Sequence, residues 1–179
     1  MAIKATIFKA ELQVSDLDRN HFARHSLTLA RHPSETDERM MVRMLAFALN
    51  ADEALEFGRG LSAEDESDLV KKDLTGAIDV WIDVGLPDER RIRKAAGRAN
   101  RVIVYTYGGR AAELWWDANG AALQRLGNLS VLDVSPESTR AMAARVDRTM
   151  TLSCTIQDGH VWFEQAGETL EIVPRSVKR

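Results

Sequence analysis

The sequence predicts a mixed α/β fold whose core, at about residues 34–107, contains in order a helix, three strands, a helix and a strand. Three observations support this order. Residues 77–84 place apolar side chains on one face of a strand and acidic and aromatic ones on the other. Apolar residues recur at helical spacing over about 34–50 and 87–98. Residues 101–107 are rich in β-branched and aromatic side chains, typical of a buried strand reached by a crossover helix.

Length and composition indicate one globular domain over residues 1–179, with a solvated tail at about 173–179. The chain is 45% hydrophobic and 28% charged, which excludes a disordered or fibrous protein. No apolar run approaches the roughly 20 residues that cross a bilayer, and the N-terminal segment lacks the apolar core of a signal peptide. We therefore expect a cytoplasmic protein without a membrane partner. Cys154 is the only cysteine, which fits a reducing compartment and a buried apolar role.

Two hairpins are expected to flank the core. Residues 1–14 alternate apolar and polar side chains, with a change of phase near Phe8 that predicts a bulge or bend. A turn-rich segment then returns the chain into a second strand at about 21–30. Near the C-terminus, Asp158 and Gly159 separate two alternating segments and favour a type I′ hairpin turn.

The first core helix is expected to begin at a cap on Ser34 and to end near Asn50. Glu38 stands one turn before the main apolar stripe of this helix, so it lies at the boundary of the core. Two interpretations stay open for it. It is either a carboxylate paired with Arg39 or Arg43 at the rim of the core, or one directed at a functional site.

Asp68 and Asp83 are candidate site residues because a turn at Thr75 and Gly76 brings their strands together. In an antiparallel pair with this turn, the two carboxylates occupy neighbouring positions. Carboxylates beside apolar side chains are costly to bury unless they are hydrated, paired or bound to a metal. Asp79 shares the strand face of Asp83, and we expect it either to replace Asp83 as a ligand or to pair with an arginine at the rim.

A basic cluster follows this acidic strand, although the net charge of the chain is −3. The negative net charge argues against indiscriminate binding of nucleic acid, which needs clustered cations, but leaves room for a local patch. The cluster is expected to be either a solvated helix face or a nucleic-acid-binding surface. The candidates for nucleic-acid binding are Arg90, Arg91 and Arg98.

The order of elements, with acids at Glu38, Asp68 and Asp83, resembles the restriction-endonuclease-like αβββαβ core of the PD-(D/E)XK nuclease-like superfamily. The resemblance implies that Asp68 and Asp83 bind Mg²⁺ or Mn²⁺ and that Glu38 completes the ligand set. Gly85 stands where the acid-x-Lys element of the superfamily has its lysine. In some members this lysine has moved to the following helix, and Lys94 is the residue in position to fill that catalytic role.

The chain as a whole is similar to the YaeQ family of small bacterial proteins. Four segments spread over the chain carry the resemblance: ATIFKA, LTLARHPSETDERMMVRML, IDVWIDVGLPDE and DRTMTLSCTIQDG. The resemblance implies the nuclease-like fold, while the family itself has no settled biochemical activity. It therefore bears on architecture more than on reaction.

Two functions are expected as alternatives. In the first, the protein is a phosphodiesterase acting on DNA or RNA, in which Mg²⁺ or Mn²⁺ lowers the pKa of bound water and Lys94 stabilises the developing negative charge. In the second, it is a non-catalytic regulatory module, of a transcription-related kind, that binds nucleic acid or a protein partner. The missing lysine at Gly85, the acidic net charge and the basic helix fit the second alternative.

Overall fold

The computed structural model describes residues 4–58 and 65–178. In that part of the chain, a mixed α/β fold contains two mixed sheets, four helices and eleven strands. The elements in chain order are β1 (Thr6–Asp16), β2 (His21–Arg31), α1 (Asp37–Leu49), β3 (Leu55–Phe57), β4 (Leu69–Lys72), β5 (Ile78–Val84), α2 (Glu89–Ala96), β6 (Ala99–Tyr107), α3 (Arg110–Leu123), β7 (Leu129–Val134), α4 (Pro136–Ala143), β8 (Thr149–Gln157), β9 (His160–Gln165), β10 (Glu168–Ile172) and β11 (Arg175–Lys178). The start of the predicted first strand and part of the acidic loop before Asp68 lie outside the described residues.

Each sheet combines parallel and antiparallel neighbours. The first sheet has the strand order β10-β9-β8-β1-β2, in which β1 and β8 are parallel and the other neighbours antiparallel. The second has the order β11-β7-β6-β5-β4-β3, in which the central strands β5, β6 and β7 are parallel. Helices α2 and α3 provide the crossovers between these strands, because parallel neighbours cannot be joined by a tight turn.

Helix α1 occupies the space between the two sheets. Its residues from Met40 to Ala48 are all buried, and it packs against β1 of the first sheet, β5 of the second and α4. The main hydrophobic core joins its side chains to both sheets. A smaller core around Trp81 and Ile92 lies on the other face of the second sheet, under α2 and α3. Strand β5 is therefore covered on both faces.

The expected order of helix, three strands, helix and strand is present as α1, β3, β4, β5, α2 and β6. Leu69 of β4 pairs with Ile82 of β5 in antiparallel register, which puts Asp68 opposite Asp83 at the next position. The turn between the strands has Gly76 at a φ of 86°, a left-handed value that suits glycine. The predicted crossover is confirmed because β5 and β6 are parallel and α2 connects them.

The N-terminal hairpin is confirmed, but the predicted bulge near Phe8 is wrong. β1 and β2 pair without interruption along their whole length. Phe8 begins a buried face that continues at every second residue through Val14. Ile7 lies on the outer face and is 43% exposed. The change of phase in the sequence thus comes from an exposed apolar side chain, and the strand is regular.

Two helix starts differ from the prediction. Thr36, and not Ser34, caps α1, and its hydroxyl accepts the backbone N–H of Arg39 at 3.1 Å. α2 begins after Asp88 instead of at Pro87, and the Asp88 carboxylate accepts a backbone N–H at 2.9 Å. Both caps satisfy amides that the first helical turn leaves free. They also fix which side chains of each first turn face the ends of β4 and β5.

The C-terminal hairpin is confirmed, and the predicted solvated tail is wrong. Asp158 and Gly159 connect β8 to β9 with φ values of 52° and 76°, as a type I′ turn requires. Strand β10 extends the same sheet, whereas β11 pairs with β7 of the second sheet. Lys178 is 7% exposed and donates from Nζ to the carbonyl of Leu129 at 3.1 Å. None of the described helices is long and apolar enough to cross a membrane.

Cys154 lies on β8 in the main core with 0% exposure, as a small buried apolar residue. Burial raises the pKa of its thiol to about 12, and the charge of Asp16 acts in the same direction. Since the thiolate is the reactive form, we expect the native protein to resist a maleimide reagent at mildly alkaline pH. Labelling should become stoichiometric by mass spectrometry once guanidinium chloride unfolds the chain. Rapid labelling of the folded protein would contradict this expectation.

Candidate functional site

Two buried carboxylates stand opposite each other where β4 begins and β5 ends. Asp68 immediately precedes β4 and is 7% exposed, and Asp83 lies near the end of β5 and is 1% exposed. The register of the two strands brings them together, as the sequence predicted. Buried carboxylates need cationic or hydrogen-bonding partners. In this protein, arginines from the first turns of α1 and α2 supply those partners.

Arg39, in the first turn of α1, binds Asp68. Its Nη2 donates to the two carboxylate oxygens of Asp68 at 2.8 and 3.0 Å, and to the carbonyl of Val84 at 3.2 Å. The backbone N–H of Val84 donates to the same carboxylate at 2.8 Å, and Nη1 of Arg39 donates to Glu35 at 2.6 Å. Burial acts to lower the pKa of Arg39, but Asp68 and Glu35 outweigh it and raise the pKa above its usual value. Arg39 therefore ties α1 to the ends of β4 and β5.

Arg91, in the first turn of α2, holds Asp83 in a bidentate pair. Its Nε donates to Oδ2 at 2.8 Å and its Nη2 to Oδ1 at 3.1 Å, while Nη2 also donates to the carbonyl of Glu66. Burial acts to lower the pKa of Arg91, but the hydrogen bonds and charge of Asp83 outweigh burial and raise the pKa above its usual value. Two parallel hydrogen bonds fix the orientation of both side chains as well as their distance.

A further ion pair extends this network into the core, and the sequence pattern did not reveal it. Arg43 donates to Glu35 from Nη2 at 2.6 Å and from Nε at 3.1 Å, with both side chains 1% exposed. Its Nη2 also donates to the carbonyl of Ala30 at 3.0 Å. The signal that was available is the spacing of Arg39 and Arg43, four residues apart, which puts both on one side of a helix that starts just after Glu35.

Glu38 faces α4 and not the ends of β4 and β5. Its carboxylate accepts a hydrogen bond at 2.8 Å from Oγ1 of Thr139, a fully buried residue of α4. The predicted pairing of Glu38 with Arg39 or Arg43 is wrong, because those two arginines bind Glu35 instead. The hydroxyl partner leaves Glu38 as a link between α1 and α4. Its predicted role as a ligand stays a prediction.

Lys94 and Asp79 also have partners of their own. Lys94, on α2, donates from Nζ to Asp65 at 2.6 Å, and this hydrogen bond lowers the pKa of the Asp65 carboxyl. Asp79 accepts a hydrogen bond from Nδ2 of Asn100 at 3.2 Å and lies 3.9 Å from Nζ of Lys71. The cation beside Asp79 is thus a lysine, where the sequence predicted an arginine. The catalytic role predicted for Lys94 stays a prediction.

The donor set around Asp68 and Asp83 does not fit a resident Mg²⁺ or Mn²⁺ ion. Such ions take about six oxygen ligands, and protein carboxylates bind them directly. Both carboxylates here accept arginine hydrogen bonds, and Glu38 is turned to a hydroxyl. In the described part of the chain, no group of three or more histidine, cysteine, aspartate or glutamate side chains could hold a metal ion. The arrangement instead holds buried opposite charges in fixed positions.

A basic cavity of about 380 Å³ lies beside this network, on the α2 side of β5. Its lining includes Arg90, Arg91, Lys94 and Arg98, with Trp81 and Asp65. The structure therefore brings together the three arginines that the sequence singled out as nucleic-acid-binding candidates. Arg90 and Lys94 are four residues apart on one side of α2, and Arg98 follows in the turn between α2 and β6.

The fold and the site define a mixed α/β protein in which arginine–carboxylate ion pairs link α1 and α2 to β4 and β5. A basic cavity lies beside these ion pairs. The family model described as YaeQ protein matches residues 1–174, so the chain belongs to the YaeQ family. This confirms the family that the sequence resembled.

Relatives match along almost the whole chain. The uncharacterized protein YaeQ of Escherichia coli (strain K12) is 51% identical over 172 residues, which are 96% of this chain and 95% of the relative. The Salmonella typhi protein of the same name shows the same identity and coverage. The crystal structure of YaeQ protein from Xanthomonas axonopodis pv. citri is similar with a TM-score of 0.94 at 50% identity, covering 97% of this chain and 98% of that one. YaeQ protein from Pseudomonas syringae has a TM-score of 0.94 at 34% identity, covering 98% of this chain and 97% of that one.

Proposed function

We propose that this protein is a nucleic-acid-binding module that keeps a nuclease-like αβββαβ core without metal-dependent catalysis. The observation that carries the proposal is the bidentate pair of Arg91 with Asp83, at 2.8 and 3.1 Å, next to the basic cavity. The order α1, β3, β4, β5, α2 and β6, with Asp68 and Asp83 opposite each other, supports descent of the core from the PD-(D/E)XK type. In this core, arginines take the positions around the two acids that a metal would need.

Opening this network to a metal ion is energetically unfavourable. A metal bound by both Asp68 and Asp83 has to displace Arg39 and Arg91 together. Taking one partner away from a buried ion pair destabilises a protein by about 3–5 kcal/mol, because the remaining charge is left without a partner. The Arg39 side chain is 14% exposed and has little access to water as a substitute. The network is therefore better suited to position α1 and α2 than to bind a cation.

The basic side of α2 supplies the binding surface. Arg90 and Lys94 on α2 and Arg98 in the following turn all line the cavity. Guanidinium groups present several donors in a planar arrangement that matches phosphate oxygens, which makes arginine effective in phosphate recognition. Since the whole chain carries a net charge of −3, attraction to nucleic acid depends on a local cluster of cations such as this one. Binding is then local and sensitive to salt.

Anisotropy of fluorescently labelled single- and double-stranded DNA and RNA, titrated with the purified protein in EDTA, tests the proposal. We expect at least one polymer to bind at low salt, to release as salt rises, and to bind equally well when Mg²⁺ or Mn²⁺ replaces EDTA. Gels of the same mixtures should show intact polymer. Absence of binding to all four polymers would contradict the proposal and leave a protein-binding module in its place.

The second candidate is the metal-dependent phosphodiesterase, and the placement of Asp68 opposite Asp83 favours it. It assigns these two acids and Glu38 as ligands and Lys94 as the residue that assists at the phosphate. It predicts a cleavage product in Mn²⁺ that is absent in EDTA and absent with Asp83→Asn. A product that persists with Asp83→Asn would indicate a contaminating nuclease.

A further inference from the structure

Trp81 carries a buried hydrogen-bond donor that has no acceptor among the described residues. The side chain lies on β5, is 4% exposed and lines the basic cavity. Its Nε1 is shielded from solvent and makes no hydrogen bond. Buried donors in folded proteins are nearly always satisfied, because the loss of water without replacement is unfavourable. An acceptor oxygen in the cavity reaches this donor only if the side chains around the indole move, because the atom is shielded from solvent.

Two of the cations around the same cavity are also without a carboxylate partner. Arg91 is committed to Asp83 and Lys94 to Asp65. By contrast, neither Arg90 nor Arg98 forms an ion pair within residues 4–58 and 65–178, and the Arg98 guanidinium lies 5.5 Å from the centroid of the Trp81 ring. Among the described residues, the donors beside the cavity that lack a partner are therefore two exposed arginines and one indole N–H that is shielded from solvent.

The carboxylates at the cavity cancel only part of this positive charge. Asp88 lines the cavity, but its side chain caps α2 by accepting the backbone N–H of Arg91 at 2.9 Å. Asp65 accepts from Lys94 at 2.6 Å. With Arg91 paired to Asp83 and Lys94 to Asp65, the two remaining arginines and the Asp88 carboxylate leave a net formal charge of about +1 in a recess with an aromatic wall.

We propose that this cavity binds the terminal phosphate of a nucleic-acid strand, an inference that rests on the proposed nucleic-acid binding. A terminal phosphomonoester carries close to two negative charges at neutral pH, which matches Arg90 and Arg98. An internal phosphodiester carries one charge, and its chain continues on both sides, so it enters a recess less readily. The terminal phosphate offers an oxygen to the indole N–H of Trp81. The rest of the strand then follows the exposed side of α2.

The experiment compares three versions of one single-stranded oligonucleotide of about 12 residues. One carries a 5′-phosphate, one a 3′-phosphate, and one has hydroxyls at both ends, so the comparison shows which terminal phosphate binds. Anisotropy in EDTA near neutral pH should show that one phosphorylated version binds about tenfold more tightly than the hydroxyl version. Equal affinity of all three overturns the inference and leaves the proposed function standing. Failure of all three to bind also overturns the inference, whereas the proposed function is overturned only if the titration with all four polymers shows no binding.

Three variants test whether the preference for a terminal phosphate depends on this cavity. Trp81→Phe keeps an aromatic ring and removes the N–H, so the affinity ratio of phosphorylated to hydroxyl strands should fall towards one. Arg98→Gln should lower the same ratio and changes an exposed residue, which keeps the test valid if Trp81→Phe fails to fold by circular dichroism. The control is Arg93→Gln, on the same helix but paired with Glu89 and outside the cavity lining, and it should keep the wild-type ratio. An unchanged ratio in Arg98→Gln and in folded Trp81→Phe would overturn the assignment to this cavity.

Discussion

Replacement of Glu35 by alanine is expected to lower the free energy of unfolding by about 3–5 kcal/mol. The Arg43 guanidinium would lose its two hydrogen bonds to Glu35 while remaining buried, since its side chain is 1% exposed. Arg39 would lose its 2.6 Å contact at the same time. A buried charge without a partner is among the few changes that destabilise a domain this strongly.

Thermal unfolding followed by circular dichroism measures this effect. For a domain of this size, the expected loss corresponds to a melting temperature lower by roughly 6–20 °C. Glu113→Ala is the matched control, because Glu113 forms an ion pair with Arg110 in which both side chains are exposed. Exposed pairs contribute about 0–1 kcal/mol, so this variant should melt close to the wild type. Equal shifts in the two variants would contradict the role given to the buried pair.

The double variant Arg90→Glu with Arg98→Glu is expected to weaken binding of single-stranded nucleic acid on the order of 10–100-fold at low salt. Each substitution removes one of the proposed phosphate contacts and adds a negative charge to the lining of the cavity. Loss of two contacts should also reduce the slope of log affinity against log salt by roughly 1.4. Both side chains are exposed and without ion pairs among the described residues, so the fold should be unaffected.

A second double variant separates this local effect from a change in net charge. Arg125→Glu with Arg140→Glu alters the net charge by the same amount at exposed positions, one following α3 and one on α4, outside the cavity lining. It should retain most of the affinity and the salt slope. If the two double variants lose affinity to the same extent, binding does not use the basic side of α2.

The pairing of β4 with β5 was predictable because its determinants are local. Alternation along β5, the glycine turn at Gly76 and a short separation fix which residues face each other. The opposition of Asp68 and Asp83 follows directly from that register. Short-range pattern and turn chemistry therefore predicted the part of the candidate site that lies on neighbouring strands.

The cationic partners of these acids were not predictable in the same way. Arg39 reaches Asp68 only because α1 packs against β5, and the sequence pattern does not predict that packing. The position of the helix start also decided which acid pairs with the arginines. Because Thr36 is the cap, Glu35 lies just before α1 and accepts hydrogen bonds from Arg39 and Arg43. An expected cap at Ser34 directed attention to Glu38 instead.

The last strand, β11, was also not predictable from the local sequence. β11 has only four residues, three of them polar, so its composition is typical of a tail. Its pairing with β7 depends on a partner more than forty residues earlier in the chain. The burial of Lys178 against the carbonyl of Leu129 is likewise a tertiary contact. Such contacts override local preference.

The central claim is that arginines, and not a metal ion, hold Asp68 and Asp83 in the working protein. The melting temperature of the wild type and of Asp83→Asn, each with millimolar Mn²⁺ and with EDTA, tests it most directly, because a ligand that binds only the native state stabilises it. We predict that Mn²⁺ changes neither melting temperature by more than about 1 °C. A rise of roughly 5–10 °C in the wild type, as for an ion at a hundred times its Kd, that disappears in Asp83→Asn would contradict the claim.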